Sequence, residues 1–327
     1  MKKLFCLMIS ILMILSLTAC ASSEEALTPT GYTYSVAIVQ QLDHSSLDEI
    51  RAAIEAQLNA LAAEQNIAIK ISYDNGQNDG TMLNQIGTQV VADGVDMIIP
   101  IATTAAQCMV TAAEGTDIPI VYAACSDPEG AGLTGMPTVT GVSDALNTPF
   151  ILDMMLAANP DVKTVGLLYS NSEINSQAPI AEAKAYLDAK GIAYLEKTGN
   201  NAGEVHAAAS DLVGRVDAVF TPTDNVVMAA EAAVAEILNE AGIPHYTGAD
   251  SFVLAGAFAT CGVNYTELGT KTADMAFDVL TGGSIGDFHV MDGGIITVNT
   301  ETAAACGLDY SAFRDMANTV NEVVTAE

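Results

Sequence analysis

The sequence predicts an α/β protein of two doubly wound lobes, each a parallel sheet covered by helices on both faces. Three observations carry this. Short runs that are apolar almost throughout, such as Met97-Ile-Ile-Pro-Ile101 and Thr164-Val-Gly-Leu-Leu-Tyr169, alternate with longer stretches of helical spacing, the pattern of fully buried parallel strands and their crossover helices. The alternation runs through once and then repeats. Half of the 327 residues are hydrophobic and Trp is absent, a composition that packs rather than one that stays disordered.

The chain opens on Lys2 and Lys3, continues uncharged over 4–17, and reaches Leu17-Thr-Ala-Cys20. That apolar stretch is shorter than the ~20 residues a spanning helix needs, so 1–19 is read as a signal peptide. The small residues before Cys20 resemble a lipobox, so Cys20 is expected to be the lipidated first residue of the mature chain, with a secretory signal in which Cys20 is incidental the alternative. Two acyl chains are enough for stable anchoring. Residues 20–31 are small and polar and are read as a tether. The folded part is expected from Tyr32.

In the first lobe Tyr34-Ser-Val-Ala-Ile-Val39 reads as a strand. A helix over 46–65 follows, with Leu47, Ile50, Ile54, Leu58 and Leu61 at helical spacing. Strands at 67–72, 97–101 and 119–123 alternate with helices at 81–92 and 105–113. The second lobe repeats the order, with strands at 164–169, 192–196, 218–220 and from 244, and helices at 178–190, 205–213 and 226–241. Two such halves leave a cleft between them, and ligands of these sheets sit beyond the carboxyl ends of the strands.

The formal charge is −29, and loss of Lys2 and Lys3 with a signal peptide, which contains no acid, takes it to −31. Such a balance excludes nucleic acid as a partner and direct attachment to anionic headgroups. Cys108, Cys125, Cys261 and Cys306 match no zinc or redox spacing; an exported protein permits disulfides, and the reading favoured is four free thiols. His44, His206, His245 and His289 show no metal spacing, and no Gly-x-Ser-x-Gly or His-Glu-x-x-His occurs. Neither catalysis, metal nor cofactor is expected.

Polar residues cluster after strands. Gln40 follows the first strand, with His44 close behind. Thr103 and Thr104 open the helix after 97–101 and can cap it, and their backbone N–H groups would meet an anion, with ordinary capping the alternative. Ser126 follows 119–123, Asn171 and Ser176 follow 164–169, Asp224 follows 218–220, and Asp250 follows the strand from 244. An Asp suits an ammonium and a helix N-terminus a carboxylate, so the expected ligand is a zwitterion. Asp224 is the first choice for its ammonium and Asp250 the second, with helix capping the alternative for either. Tyr122, Tyr169 and Tyr265 are candidates to stack on a flat ligand, with core packing the alternative for each.

Ile101-Ala-Thr-Thr-Ala-Ala-Gln107, Ser126-Asp-Pro128, Thr140-Gly-Val-Ser-Asp144, Leu168-Tyr-Ser-Asn-Ser-Glu-Ile-Asn-Ser176, Pro222-Thr-Asp-Asn225 and the block from Gly256 to Gly269 resemble, in order, the signature blocks of one receptor family. It is the ABC-transporter substrate-binding family often labelled tryptophan/tyrosine receptors. The resemblance implies a type I periplasmic-binding-protein fold with three crossovers, expected near Val142, Val263 and Gly283. Lobe 1 would then hold 32–142 and 263–283, and lobe 2 would hold 143–262 and 284–327. It further implies a monomer that delivers an amino acid to ABC permease subunits. Thr103-Thr104 departs from the family's more usual Thr-Pro. On sequence alone a receptor for a nucleoside or sugar, or a sensory protein without transport, stays open.

Overall fold

The computed structural model describes residues 33–326; the expected signal peptide 1–19, Cys20 and the linker 20–31 lie outside the described residues. Strand β1 (Tyr34–Gln40) leads into α1 (Ser45–Glu64), followed by β2 (Ile69–Asn75), α2 (Gly80–Ala92), β3 (Met97–Ile101), α3 (Thr103–Ala112), β4 (Ile120–Ala123) and β5 (Val139–Ser143). Every residue of β3, β4 and β5 is buried. Apolar side chains on both faces of these strands need cover from both sides, which the flanking helices give.

The chain then enters the second lobe through α4 (Thr148–Ala158), β6 (Thr164–Tyr169), a 3₁₀ turn (Ile174–Ser176), α5 (Gln177–Lys190), β7 (Ala193–Thr198), α6 (Ala202–Leu212) and β8 (Ala218–Thr221). It continues with α7 (Asn225–Met228), α8 (Glu231–Glu240), β9 (His245–Thr247), α9 (Asp250–Leu254) and β10 (Ala259–Gly262). The helix expected over 226–241 is thus two helices. The break after Met228 has no breaker residue behind it, so tertiary packing sets it.

Helix α10 (Tyr265–Leu280) and β11 (His289–Val290) belong to the first lobe, and β12 (Ile295–Asn299), α11 (Thr300–Cys306), α12 (Phe313–Met316) and β13 (Thr319–Val323) to the second. The first sheet has the order β11-β5-β4-β3-β1-β2, the second β13-β12-β10-β9-β8-β6-β7. All described ladders are parallel except β10 with β12, because β12 enters the second sheet from the opposite end. The chain passes between sheets after Ser143, after Gly262 and within 291–294. The last of these corrects the crossing expected at Gly283. Gly282, at φ +102°, turns the chain within the first lobe, and β11 still pairs with Val142 and Ser143.

One apolar cluster runs from Leu47 and Ala102 in the first lobe to Val226, Ala249 and Phe252 in the second. The lobes are therefore packed together rather than parted. Among the described residues no helix is long and apolar enough to cross a membrane. Cys108, Cys125, Cys261 and Cys306 are free.

Candidate functional site

The strand ends of both lobes meet at a narrow cavity, in which about 30 Å³ is open to the centre of a water molecule. The first lobe contributes His44, Ser46 and Leu47 from the start of α1, Ala102 and Thr103 from the start of α3, and Ala124 and Ser126 after β4. Asp144 and Tyr265 stand at the first and second crossings. The second lobe contributes Asn175, Thr223, Asp224, Asn225, Met228, Ala249, Ser251 and Phe252.

The backbone is bent to make this wall. Ala102 and Ala124 hold φ +77° and +55° at the ends of β3 and β4, sparsely populated conformations that cost a non-glycine residue about 1–3 kcal/mol. Such positions persist where the surroundings impose them. Both α1 and α3 begin without a side-chain cap, on His44 and Ala102. By contrast Asp79, Asn147, Asn201, Asp224, Asn264 and Asn299 cap their helices. Three uncapped helix ends thus reach the cavity, those of α1 and α3 from the first lobe and that of α9, on Ala249, from the second, with the Thr104 amide of α3 already taken by Gln41. Beside them Ser46 Oγ and Thr103 Oγ1 are buried and, among the described residues, without a hydrogen-bond partner.

The lobes are joined by neutral donors on carboxylates. Gln41 Nε2 of the first lobe donates to Glu173 Oε1 of the second at 2.7 Å. Asn225 Nδ2 donates to Glu173 Oε2 at 2.7 Å, and His44 Nε2 lies 3.1 Å from Asn225 Oδ1. Ser126 Oγ donates to Asp144 Oδ1 at 2.9 Å, so its 2.9 Å contact with Thr223 has the Thr223 hydroxyl as donor. Burial, reinforced by Asp224, pushes the Glu173 carboxyl up, and burial raises Asp144 and Asp224 as well. No lysine or arginine lines the cavity among the described residues. A positively charged ligand in the cavity would relieve Asp144 and Asp224, the two carboxylates that line it.

The structure distributes the expected site residues unevenly. Thr103, Ser126 and Asp224 line the cavity. Asp224 is already engaged, accepting from Ser170 N at 2.7 Å, Ser176 Oγ at 2.6 Å and Val227 N at 2.9 Å. Ser176 is buried behind the wall and serves that carboxylate. Gln40 is also buried behind it, donating to Leu42 O and Asp48. Thr104 stands off the wall, and its N–H is taken by Gln41 Oε1; Ala102, not either threonine, is the N-cap of α3. Asn171 is exposed. Asp250 lies outside the wall, its carboxyl pushed up to about 6 by burial and by Glu49.

Of the three tyrosines only Tyr265 lines the cavity. Tyr122 is in the core, so close under β5 that a Cβ on Gly141 would stand 2.4 Å from its ring, and Tyr169 bonds Glu196. Sequence reasoning passed over Ser46, Asp144, Asn175, Asn225 and Phe252. For Asp144 a signal existed: it follows β5, another strand ending at the cleft.

The family described as ABC transporter substrate binding protein matches residues 35–312. The chain is 32% identical over 319 residues to the Tyrosine-binding protein of Clostridioides difficile, covering 93% of this chain and 92% of that one. A domain from Streptococcus pneumonia in complex with L-Trp superposes with TM-score 0.82 at 29% identity, covering 88% of this chain and 99% of that one. A ligand-free, open substrate binding protein with adhesive properties from Clostridium difficile superposes with TM-score 0.67 at 30% identity, covering 90% and 100%. At near-equal identity the packed lobes described above lie closer to the ligand-bound relative. The chain belongs to the ABC transporter substrate-binding protein family.

Proposed function

We propose that this protein captures an amino acid, as a zwitterion with an aromatic side chain, between its closing lobes and delivers it to an ABC permease. Members of the family are extracytoplasmic binding proteins. The observation that carries the ligand class is the opposition of the first lobe's two uncapped helix ends, with the unpaired Ser46 and Thr103 hydroxyls, to Asp144 and Asp224 on a wall without a basic residue. A carboxylate suits the helix ends, and an ammonium suits Asp144, whose Oδ2 is not engaged as the oxygens of Asp224 and Glu173 are. The ammonium role expected of Asp224 or Asp250 passes to Asp144 in this reading. Leu47, Met228, Phe252 and Tyr265 offer apolar and aromatic surface to a ring. A relative named as tyrosine-binding and one in complex with L-Trp support the same class.

Lipidation at Cys20 would keep the cleft beside its permease, and mass spectrometry of membrane-extracted protein showing an unmodified N-terminus would remove that part. The ligand reading is tested by thermal shift against free amino acids, their N-acetyl and methyl-ester forms, nucleosides and sugars. Free aromatic amino acids should stabilise, by about 2.7 kcal/mol at a hundred times the dissociation constant, and both blocked forms should not. Stabilisation by sugars or nucleosides alone would overturn it.

A further inference from the structure

Two acceptors on the cavity wall have their orientation decided by hydrogen bonds to their protein neighbours. Asn175 Nδ2 donates to the Thr223 carbonyl at 2.7 Å, which fixes which end of the amide is oxygen. Its Oδ1 is buried and has no partner among the described residues. Asn225 is oriented in the same way by Glu173, to which its Nδ2 donates. Asn225 therefore presents an oxygen to His44 Nε2, and that nitrogen carries the proton. Burial lowers the His44 pKa and favours the neutral ring, so Nδ1 is a bare lone pair. It too is buried and unpaired.

Neither acceptor is used by the zwitterion as assigned above, whose carboxylate meets hydroxyls and helix amides and whose ammonium meets Asp144. Buried acceptors left unmade are costly, and a site that expects a donor rejects the analogue without one more strongly than a site that merely expects bulk. We propose that His44 Nδ1 and Asn175 Oδ1 are specificity-determining acceptors, selecting aromatic amino acids whose side chain carries an O–H or N–H donor over phenylalanine. This rests on the amino-acid reading and narrows it.

The test is calorimetric titration of the purified protein with tyrosine, tryptophan and phenylalanine, repeated on Asn175→Ala and His44→Phe. The wild type should prefer a donor-bearing ligand to phenylalanine by about ten- to a hundredfold, the factor expected from one or two unpaired acceptors. Each substitution should shrink that ratio severalfold. Because the ratio is taken within one variant, a lowered folded fraction cancels from it. Equal wild-type affinity for all three overturns the proposal. So does a loss on Asn175→Ala that is the same for every ligand, since the acceptors would then be holding the shared ammonium. Binding by none of the three overturns the amino-acid reading and this proposal with it.

Discussion

Gln41 and Glu173, 132 residues apart, are joined across the lobes by a 2.7 Å hydrogen bond, and each is at least 98% buried. The donor is a neutral amide and the acceptor a carboxylate, the kind of bond worth about 1.5–3 kcal/mol. It exists only when the lobes are packed. Gln41→Ala should therefore shift the population toward the open form and weaken ligand binding on the order of ten- to a hundredfold. Small-angle scattering without ligand, read beside a binding isotherm, checks both; a variant as compact as wild type and equally tight would show that the bond does not hold the cleft.

Glu173 also sets a pH dependence with a definite sign. Burial and the neighbouring Asp224 raise its pKa from 4.5 to about 7 in the packed form. A carboxyl raised in this way binds its proton more tightly when the lobes are closed than when it is hydrated. Its contribution is fully present below about 4.5 and is lost as the pH rises through about 7. The ligand-free thermal midpoint should fall across that window, and Glu173→Gln should flatten the fall. An unchanged profile in the variant would assign the dependence to Asp144, Asp224 or Asp250, whose carboxyls are raised too.

Asp144 and Asp224 should separate under substitution. Asp224 caps α7 and gathers Ser170 and Ser176, so Asp224→Ala should lower stability by about 1–2 kcal/mol, the worth of a strong cap, in denaturant unfolding. Asp144→Asn keeps the size and the acceptor for Ser126, so it should leave stability nearly intact. Its effect should fall on ligands with a free ammonium. Calorimetry against a ligand series differing only at the amine reads this directly, and equal losses from both variants would undo the assignment.

A second buried network lies under the site. His245 Nδ1 is 2.9 Å from Glu231 Oε1, its Nε2 is 2.8 Å from Thr221 Oγ1, and both His245 and Glu231 are fully buried. Glu231 Oε2 has no partner among the described residues, and burial raises its carboxyl. Removing one member leaves the other's buried polar atoms without a partner, which costs about 1–3 kcal/mol. His245→Leu should lose that much in urea unfolding, while the double replacement with Glu231→Leu should recover part of it. Full additivity of the two losses would contradict the coupling.

Much of the fold was legible because its causes are local. An apolar run such as 97–101 or 164–169 states its burial in contiguous residues, and the spacing of Leu47, Ile50, Ile54 and Leu58 states a helix face; β3 and β6 fall on those runs, and the four helix residues are buried. The third crossing was not legible, since whether a Gly-Gly turn changes sheets depends on β11 finding an open edge beside β5. The polar strand ends were legible as a group, and Thr103, Ser126 and Asp224 do line the cavity.

The division of labour among them was not. Asp224 and Asp144 look alike in sequence, each an Asp following a strand. Only the packed structure brings Ser170, Ser176 and the α7 amides to Asp224 and leaves Asp144 with Ser126. By itself the sequence determined two lobes with a polar cleft between them, because periodicity and strand ends are properties of neighbouring residues. The tertiary structure decided which polar atoms are spent and which are left for a ligand, because hydrogen-bond saturation depends on donors that arrive from distant parts of the chain.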